Sequence, residues 1–206
     1  MTSWVLIEIL SRPGLIDRIR AEISRAITID QKTGLTVVNI PVLIHLPLLC
    51  SVYSECLRLR NSVQVVRQLR NDVRIDGYTL KAGNLIIAPS YLAHQDSSAW
   101  SNGTGGYPAH EFWPERFLHR SKTVESGNYF PYGGGTAACP GRYYAKQEIL
   151  AAVALVIAKF DFEPMHFVNG DDTISDRGPR VGTEARGVAR IDRDLLVRMR
   201  RRSPES

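Results

Sequence analysis

The sequence predicts a mainly α-helical chain with small β-sheets, of the α+β class. Three observations predict it. Apolar residues recur at helical spacing over residues 15–28, 47–59 and 142–159. Between the second and third stretches the pattern changes to short β-branched runs separated by turn residues. Residues 195–200 alternate apolar and basic, as a terminal strand does. The bulk values agree with a folded domain: 206 residues, 44% hydrophobic and 23% charged, far from a disordered or collagen-like composition.

Residues 2–10 begin already apolar and without an N-terminal cap, and read as the end of a buried helix whose first turns lie upstream. This run carries Glu8, is far shorter than the ~20 residues of a membrane span, and lacks the flanks of a signal peptide. Ser11-Arg12-Pro13 interrupts it, and Pro13 suits the first turn of a second helix. Leu15, Ile16, Ile19, Ile23 and Ile27 share a face of that helix, to about Thr28. Residues 34–46 form a connection rich in β-branched residues. Pro47 opens a third helix with Leu48, Leu49, Val52, Cys56 and Leu59 on its apolar face. Residues 63–67, 73–75, 78–80 and 84–88 read as strands. Asp76-Gly77 is a hairpin signal, because a type I′ turn requires positive φ at both central positions. Lys81-Ala82-Gly83 makes a second turn, residues 102–108 a glycine-rich loop, and residues 107–117 an irregular, compact segment. The last helix, 142–159, presents Ala145, Ile149, Ala152, Val153, Val156 and Ile157 as its buried stripe.

The net charge of +5 invites a nucleic-acid reading, but its location argues against one. Residues 186–206 hold seven arginines against three acids, so the remainder of the chain sums to +1. Base-stacking aromatics do not interleave with these arginines, so no nucleic-acid partner is expected. The three cysteines, Cys50, Cys56 and Cys139, form neither a Cys-x-x-Cys pair nor a zinc spacing. Cys50 and Cys56 read as small core residues.

Cys139 stands in different company: Tyr132-Gly133-Gly134-Gly135-Thr136-Ala137-Ala138-Cys139-Pro140-Gly141-Arg142. Glycines let the backbone approach a flat object closely. A cysteine just before a helix meets free amides and the positive end of the helix dipole, which stabilise a thiolate. That is what a haem iron needs as a proximal ligand. Taken alone, the segment is equally a glycine turn with an incidental cysteine. A phosphate loop is a further alternative, without the Lys-Ser/Thr pair of a Walker sequence. Glu55 and Arg58, three apart, share a helix face, and alone read as a surface ion pair worth ~0.2–0.5 kcal/mol. Pro114-Glu115-Arg116-Phe117, after Tyr107-Pro108 and Phe112, reads as a rigid packed loop.

The order of these parts is more specific than any of them. Glu55-Cys56-Leu57-Arg58 on a helix, a strand hairpin, Pro114-Glu115-Arg116-Phe117, then the glycine loop ending Cys139-Pro140-Gly141-Arg142, resembles the cytochrome P-450 family. The loop and the basic ending 194–200 are similar to fungal members, the loop also to steroid-hydroxylase and prostacyclin-synthase-like branches. The resemblance implies the C-terminal part of that fold as a single partial domain, 1–206. Its parts would be the end of the central helix and the next helix (1–30), the Glu-x-x-Arg helix (47–60), a β-hairpin region (62–90) and a meander (100–130). The haem-thiolate loop and helix (131–160) and a C-terminal β region (161–202) would follow. The membrane anchor, most substrate-recognition loops and the proton-delivering part of the central helix would lie outside this sequence.

The resemblance also implies roles. Cys139 would be the axial thiolate ligand of the iron of haem b, with Tyr132, Gly133, Gly135 and Gly141 around the cofactor. Tyr132 stands where the family usually has phenylalanine. Glu55, Arg58 and Arg116 would form a buried structural triad. Arg67 would pair with a haem propionate, an exposed strand arginine being the plain alternative. Many members carry arginine or histidine two residues before the cysteine; here that residue is Ala137, so more of the task would fall to Arg67. Arg142 and Lys146 would face NADPH–cytochrome P-450 reductase, though a solvated helix face explains them equally. The implied activity is monooxygenation of an apolar small molecule, with electrons from NADPH, in fungal secondary metabolism of terpenoids, polyketides or alkaloids. Full-length relatives are anchored at the endoplasmic reticulum. A catalytically incomplete remnant of such an enzyme is the alternative, and a basic interaction module rests on the arginine tail alone.

Overall fold

The computed structural model describes residues 1–101, 107–118, 125–179 and 187–202. In chain order, α1 (Thr2–Leu10) and α2 (Leu15–Ile23) lead into a hairpin of β1 (Ile27–Ile29) and β2 (Thr36–Val38), then a short α3 (Ile40–Leu43) and the central α4 (Pro47–Arg60). α4 runs directly into β3 (Asn61–Ser62), followed by β4 (Gln64–Gln68), β5 (Val73–Ile75), β6 (Tyr78–Leu80) and β7 (Leu85–Pro89). Three short helices follow: α5 (Ser90–His94), α6 (Ser97–Trp100) and α7 (Glu125–Asn128). The long α8 (Arg142–Lys159) continues into β8 (Phe160–Val168), and β9 (Ile174–Ser175), β10 (Gly187–Val188) and β11 (Asp194–Arg201) complete the described chain. The architecture is α+β.

The core lies where α1, α2, α4 and α8 meet, with Val5, Ile9, Ile19, Val52, Leu150 and Ile157 all fully buried. Four-residue spacing puts Leu15, Ile19 and Ile23 of α2 on one line against it. α2 starts after Gly14 in the left-handed region (φ 74), with Pro13 left in the turn, and it stops at Ile23. Ile27, which shares the helical period, instead pairs with Val38, because β-branched residues on both sides of the hairpin favour a ladder. α4 begins on Pro47 at its first turn and lacks a cap of its own. Its orphan amides are met from α2: Leu48 and Leu49 donate to the Glu22 carboxylate at 2.9 and 2.8 Å.

The buried stripe of α8 differs from the one its period suggests. Leu150, Val153, Ala154 and Ile157 are buried, whereas Ala145, Ile149, Ala152 and Val156 are half-buried. Residues 149–158 are apolar all round, so spacing alone cannot choose the inner face.

The sheets are small and antiparallel. β4 pairs with β7 from Gln64↔Pro89 to Gln68↔Leu85. β5 pairs with β6 across Asp76 (φ 47) and Gly77 (φ 83), the two positive dihedrals of a type I′ turn. β3 pairs with β10, and a three-stranded sheet has the order β11-β8-β9. Among the arginines of the basic ending, Arg198 pairs with Glu163 at 2.8 Å and Arg202 with Asp161 at 3.4 Å. Residues 102–106 of the glycine-rich loop lie outside the described residues. Among the described residues no helix is long and apolar enough to cross a membrane.

Leu150→Ala should lower the unfolding free energy by about 2–5 kcal/mol in urea denaturation, through lost burial and the cavity left behind. Leu92→Ala, at a side chain 67% exposed, should change it by less than about 0.5 kcal/mol.

Candidate functional site

The strongest constraint near the site is ionic. Glu55 and Arg58 sit three apart on α4, and both side chains are 0% exposed, so the pair is not a surface one. Arg58 Nε and Nη2 donate to the two Glu55 oxygens at 2.7 and 2.8 Å. Arg116 Nε donates to Glu55 Oε1 at 2.8 Å, and the Trp113 amide reaches the same oxygen at 3.1 Å. One carboxylate against two guanidiniums leaves a buried surplus of one positive charge. Backbone carbonyls solvate it: Arg58 Nη1 donates to His94 and Ala109, both at 2.6 Å. Arg116 donates to Trp100 at 2.7 Å, Pro108 at 2.9 Å and Glu111 at 3.0 Å. The Arg58 bonds tie α5 and the irregular segment 107–118 directly to α4, and the Arg116 bonds brace that segment and the end of α6 around the shared Glu55 carboxylate.

The chain then enters the glycine loop through four residues, each tied to α5, α4 or β3. The Tyr129 hydroxyl donates to the Ser54 carbonyl at 3.1 Å, and the Phe130 amide to His94 Nε2 at 3.0 Å. Asn61 Nδ2 donates to the Pro131 carbonyl at 2.6 Å, and the Tyr132 and Tyr53 hydroxyls are hydrogen-bonded to each other. His94 Nδ1 lies 3.1 Å from the Arg58 carbonyl, so these partners assign its proton to Nδ1. Tyr53, Asn61, His94 and Tyr129 carry no motif, and the sequence gives no sign of their partners.

After Tyr132 the backbone turns through Gly133 (φ 79) and Gly135 (φ 64), dihedrals that disfavour other residues. A Cβ on Gly133 would lie 3.9 Å from Val63 Cγ1 and 4.0 Å from Val65 Cγ2. Residues 63, 65 and 67 alternate onto one side of the strand, so Arg67 points along the face that the loop meets. Arg67 is exposed, and among the described residues its guanidinium hydrogen-bonds the Val66 carbonyl at 2.8 Å. The Cys139 amide donates to the Tyr132 carbonyl at 2.9 Å. Its side chain is exposed, with Sγ 3.8 Å from where a Gly141 Cβ would be, at the N-terminus of α8.

Two basic residues of α8 are engaged within the chain. Lys146 Nζ donates to the Ile44 carbonyl at 2.8 Å, at the end of α3. Arg142 donates to the Cys139 carbonyl at 3.0 Å and lies over the Tyr143 ring. Burial pushes the Cys56 thiol well above its ordinary value and raises that of Cys50. Burial, reinforced by the bond to Tyr132 and by Tyr129 and Cys50 nearby, raises the Tyr53 phenol. Tyr132 is raised by burial and, more weakly, by the neighbouring Cys139.

These residues fit a haem held by a thiolate. Cys139 offers an exposed sulfur at a helix N-terminus, the loop offers glycine backbone, and Arg67 offers a guanidinium that a propionate can engage. Among the described residues no group of three His, Cys, Asp or Glu side chains is placed to hold a metal ion.

Comparison with known proteins gives the same direction. The family model described as Cytochrome P-450 matches residues 1–184. The chain is 39% identical over 210 residues to cytochrome P-450 monooxygenase calL of Penicillium decumbens, covering 98% of this chain and 39% of that protein. It is 30% identical over 192 residues to cytochrome P-450 monooxygenase efuG of Hormonema carpetanum, covering 78% of this chain and 34% of that protein. The chain thus spans well under half the length of these relatives. A solved zebrafish cytochrome P-450 structure with abiraterone shares the fold at a TM-score of 0.68 and 23% identity, over 98% of this chain and 44% of that one.

Glu55→Gln should destabilise the chain by about 3–5 kcal/mol, because two buried guanidiniums lose their counter-charge. Arg116→Lys should recover little of the loss caused by Arg116→Ala, since an ammonium cannot reproduce the planar fork that reaches Trp100, Pro108 and Glu55 together. Urea unfolding of the three variants checks both. The raised Tyr53 phenol sets a pH dependence. Its contribution to stability is fully present below the ordinary tyrosine value of about 10 and is lost as pH climbs above it, because the unfolded chain releases that proton first. Unfolding free energies from about pH 8 to about pH 11 should fall less steeply in Tyr53→Phe.

Proposed function

The chain belongs to the cytochrome P-450 family, and on that premise we propose that it supplies the thiolate side of a fungal-type haem monooxygenase. Cys139 would hold the haem iron through its thiolate, the backbone of Gly133, Gly135 and Gly141 would line the cofactor, and Arg67 would pair with a propionate. The observation that carries this reading is the exposed Cys139 sulfur beside Gly141 at the start of α8, inside the stretch that matches the family model. When bound, haem b supplies activation of dioxygen, with one oxygen atom entering a C–H bond of the substrate and the other leaving as water at the expense of two electrons and two protons. Gly133 and Gly135 keep the loop face free of side chains, and the Glu55, Arg58 and Arg116 cluster holds α4 still behind the loop.

The electrons come from NADPH through a reductase, and the substrate is an apolar small molecule of fungal secondary metabolism, such as a terpenoid, polyketide or alkaloid. The similarity to monooxygenases of Penicillium decumbens and Hormonema carpetanum supports the fungal assignment. A second reading, a haem-binding chain that does not turn over by itself, is favoured by a separate observation. Among the described residues the β4–β7 ladder has two strands and exposes Val66, Leu85 and Ile87, with Leu85 at 65%. A two-stranded ladder with a bare apolar face is marginal without a further layer.

Loading the chain with haem, reducing it and adding carbon monoxide should give the red-shifted Soret band of a thiolate complex, and Cys139→Ser should abolish it. Folded protein without that band would remove the haem reading. Arg67→Ala should keep the band and weaken haem retention by about 1.5–3 kcal/mol, the range for a bond to a charged group. Turnover with a reductase is expected to be absent for the chain alone, and turnover by the chain alone would remove the second reading.

A further inference from the structure

The loop that carries Cys139 is held unevenly. Residues 129, 130, 131 and 132 are each tied to another element, at Ser54, His94, Asn61 and Tyr53. Past Tyr132 the amides of Gly133, Ala138 and Cys139 donate within 130–139, to Phe130 O at 3.0 Å, Gly135 O at 3.2 Å and Tyr132 O at 2.9 Å, while the Cys139 carbonyl accepts from Arg142 at the start of α8. Tyr132 therefore occupies two places in one chain of contacts. Its carbonyl receives the Cys139 amide, and its hydroxyl meets the Tyr53 hydroxyl on α4. Tyr53 is buried two residues before Glu55, on the helix that the ionic cluster immobilises. The last rigid anchor before the glycines is thus a phenol–phenol hydrogen bond, at a position where phenylalanine would leave no such tie.

We propose that Tyr53 and Tyr132 act together as positioning residues, registering the Cys139 backbone against α4 through their shared hydrogen bond. The role bears on chemistry only through the haem-thiolate reading above, but the contact exists without cofactor and is testable without it. A side-chain bond of this kind contributes a factor of about three to ten in a local equilibrium. The groups facing the pair are Tyr129 and Cys50 beside Tyr53 and Cys139 beside Tyr132.

The test is residue-resolved amide hydrogen exchange on the full chain. Tyr53→Phe and Tyr132→Phe should each speed exchange of the Cys139 amide by about three- to tenfold, and the double variant should do no more than either. The amides of Val153 and Leu150 on α8 should keep their rates. An unprotected Cys139 amide in the parent chain, unchanged rates in the single variants, additive effects in the double variant, or acceleration spread equally to α8 would each overturn the proposal. In haem-loaded protein, both single variants should convert from the thiolate-type to the thiol-type carbon monoxide band faster than the parent chain. If the parent chain shows no thiolate band, the haem reading fails while the exchange result still decides the positioning role.

Discussion

Glu55 answers two guanidiniums with one carboxylate in a place closed to solvent, and the position of almost every element near the site follows from that. Removing charges from water costs several kcal/mol each, so the arrangement stands only because nearly every donor finds an acceptor. Those acceptors are carbonyls from α5, α6 and the irregular stretch 107–118, segments that have few backbone ladders of their own. The cluster substitutes for secondary structure. It holds a loop-rich region rigid by giving each strand of loop a fixed charge to bond.

α4 is the element that makes this transferable to the site. From Leu48 to Leu59 its side chains are buried apart from the half-buried Cys50 and Ser54, so it presents different chemistry in different directions. One side packs with α1, α2 and α8 through Leu49, Val52 and Cys56. Another carries Glu55 and Arg58 to the meander, and Tyr53 and Ser54 reach the segment that leads to Cys139. An aromatic group joins these last two regions: the Tyr129 ring lies 5.0 Å from Phe117, 5.4 Å from His94 and 5.9 Å from Trp100. Such ring contacts are worth about 0.5–1.5 kcal/mol each beyond burial, and here they link the ionic cluster to the glycine loop.

Much of this was legible in the residues, and the exceptions have physical causes. Helix and strand periods placed α4, α8 and the Asp76-Gly77 hairpin, because alternation and turn chemistry are local properties. The end of α2 was misplaced, since Ile27 satisfies a helical period and a strand equally until Val38 is known to lie opposite it. The inner face of α8 was misplaced because apolar residues on all sides carry no direction. Lys146 read as a surface charge, yet its long stem lets the ammonium fold back to the Ile44 carbonyl.

By itself, the sequence determined the identity of the parts: a thiol before a helix, glycines where φ turns positive, and a carboxylate three residues before an arginine. These are local facts, set by backbone dihedrals and helical spacing. The family resemblance implied the buried trio of Glu55, Arg58 and Arg116; tertiary structure alone decided which backbone carbonyls meet its surplus charge, and that Tyr132 finds Tyr53 79 residues away. The reason is that burial and pairing depend on which distant segments meet, and no local period encodes the partner.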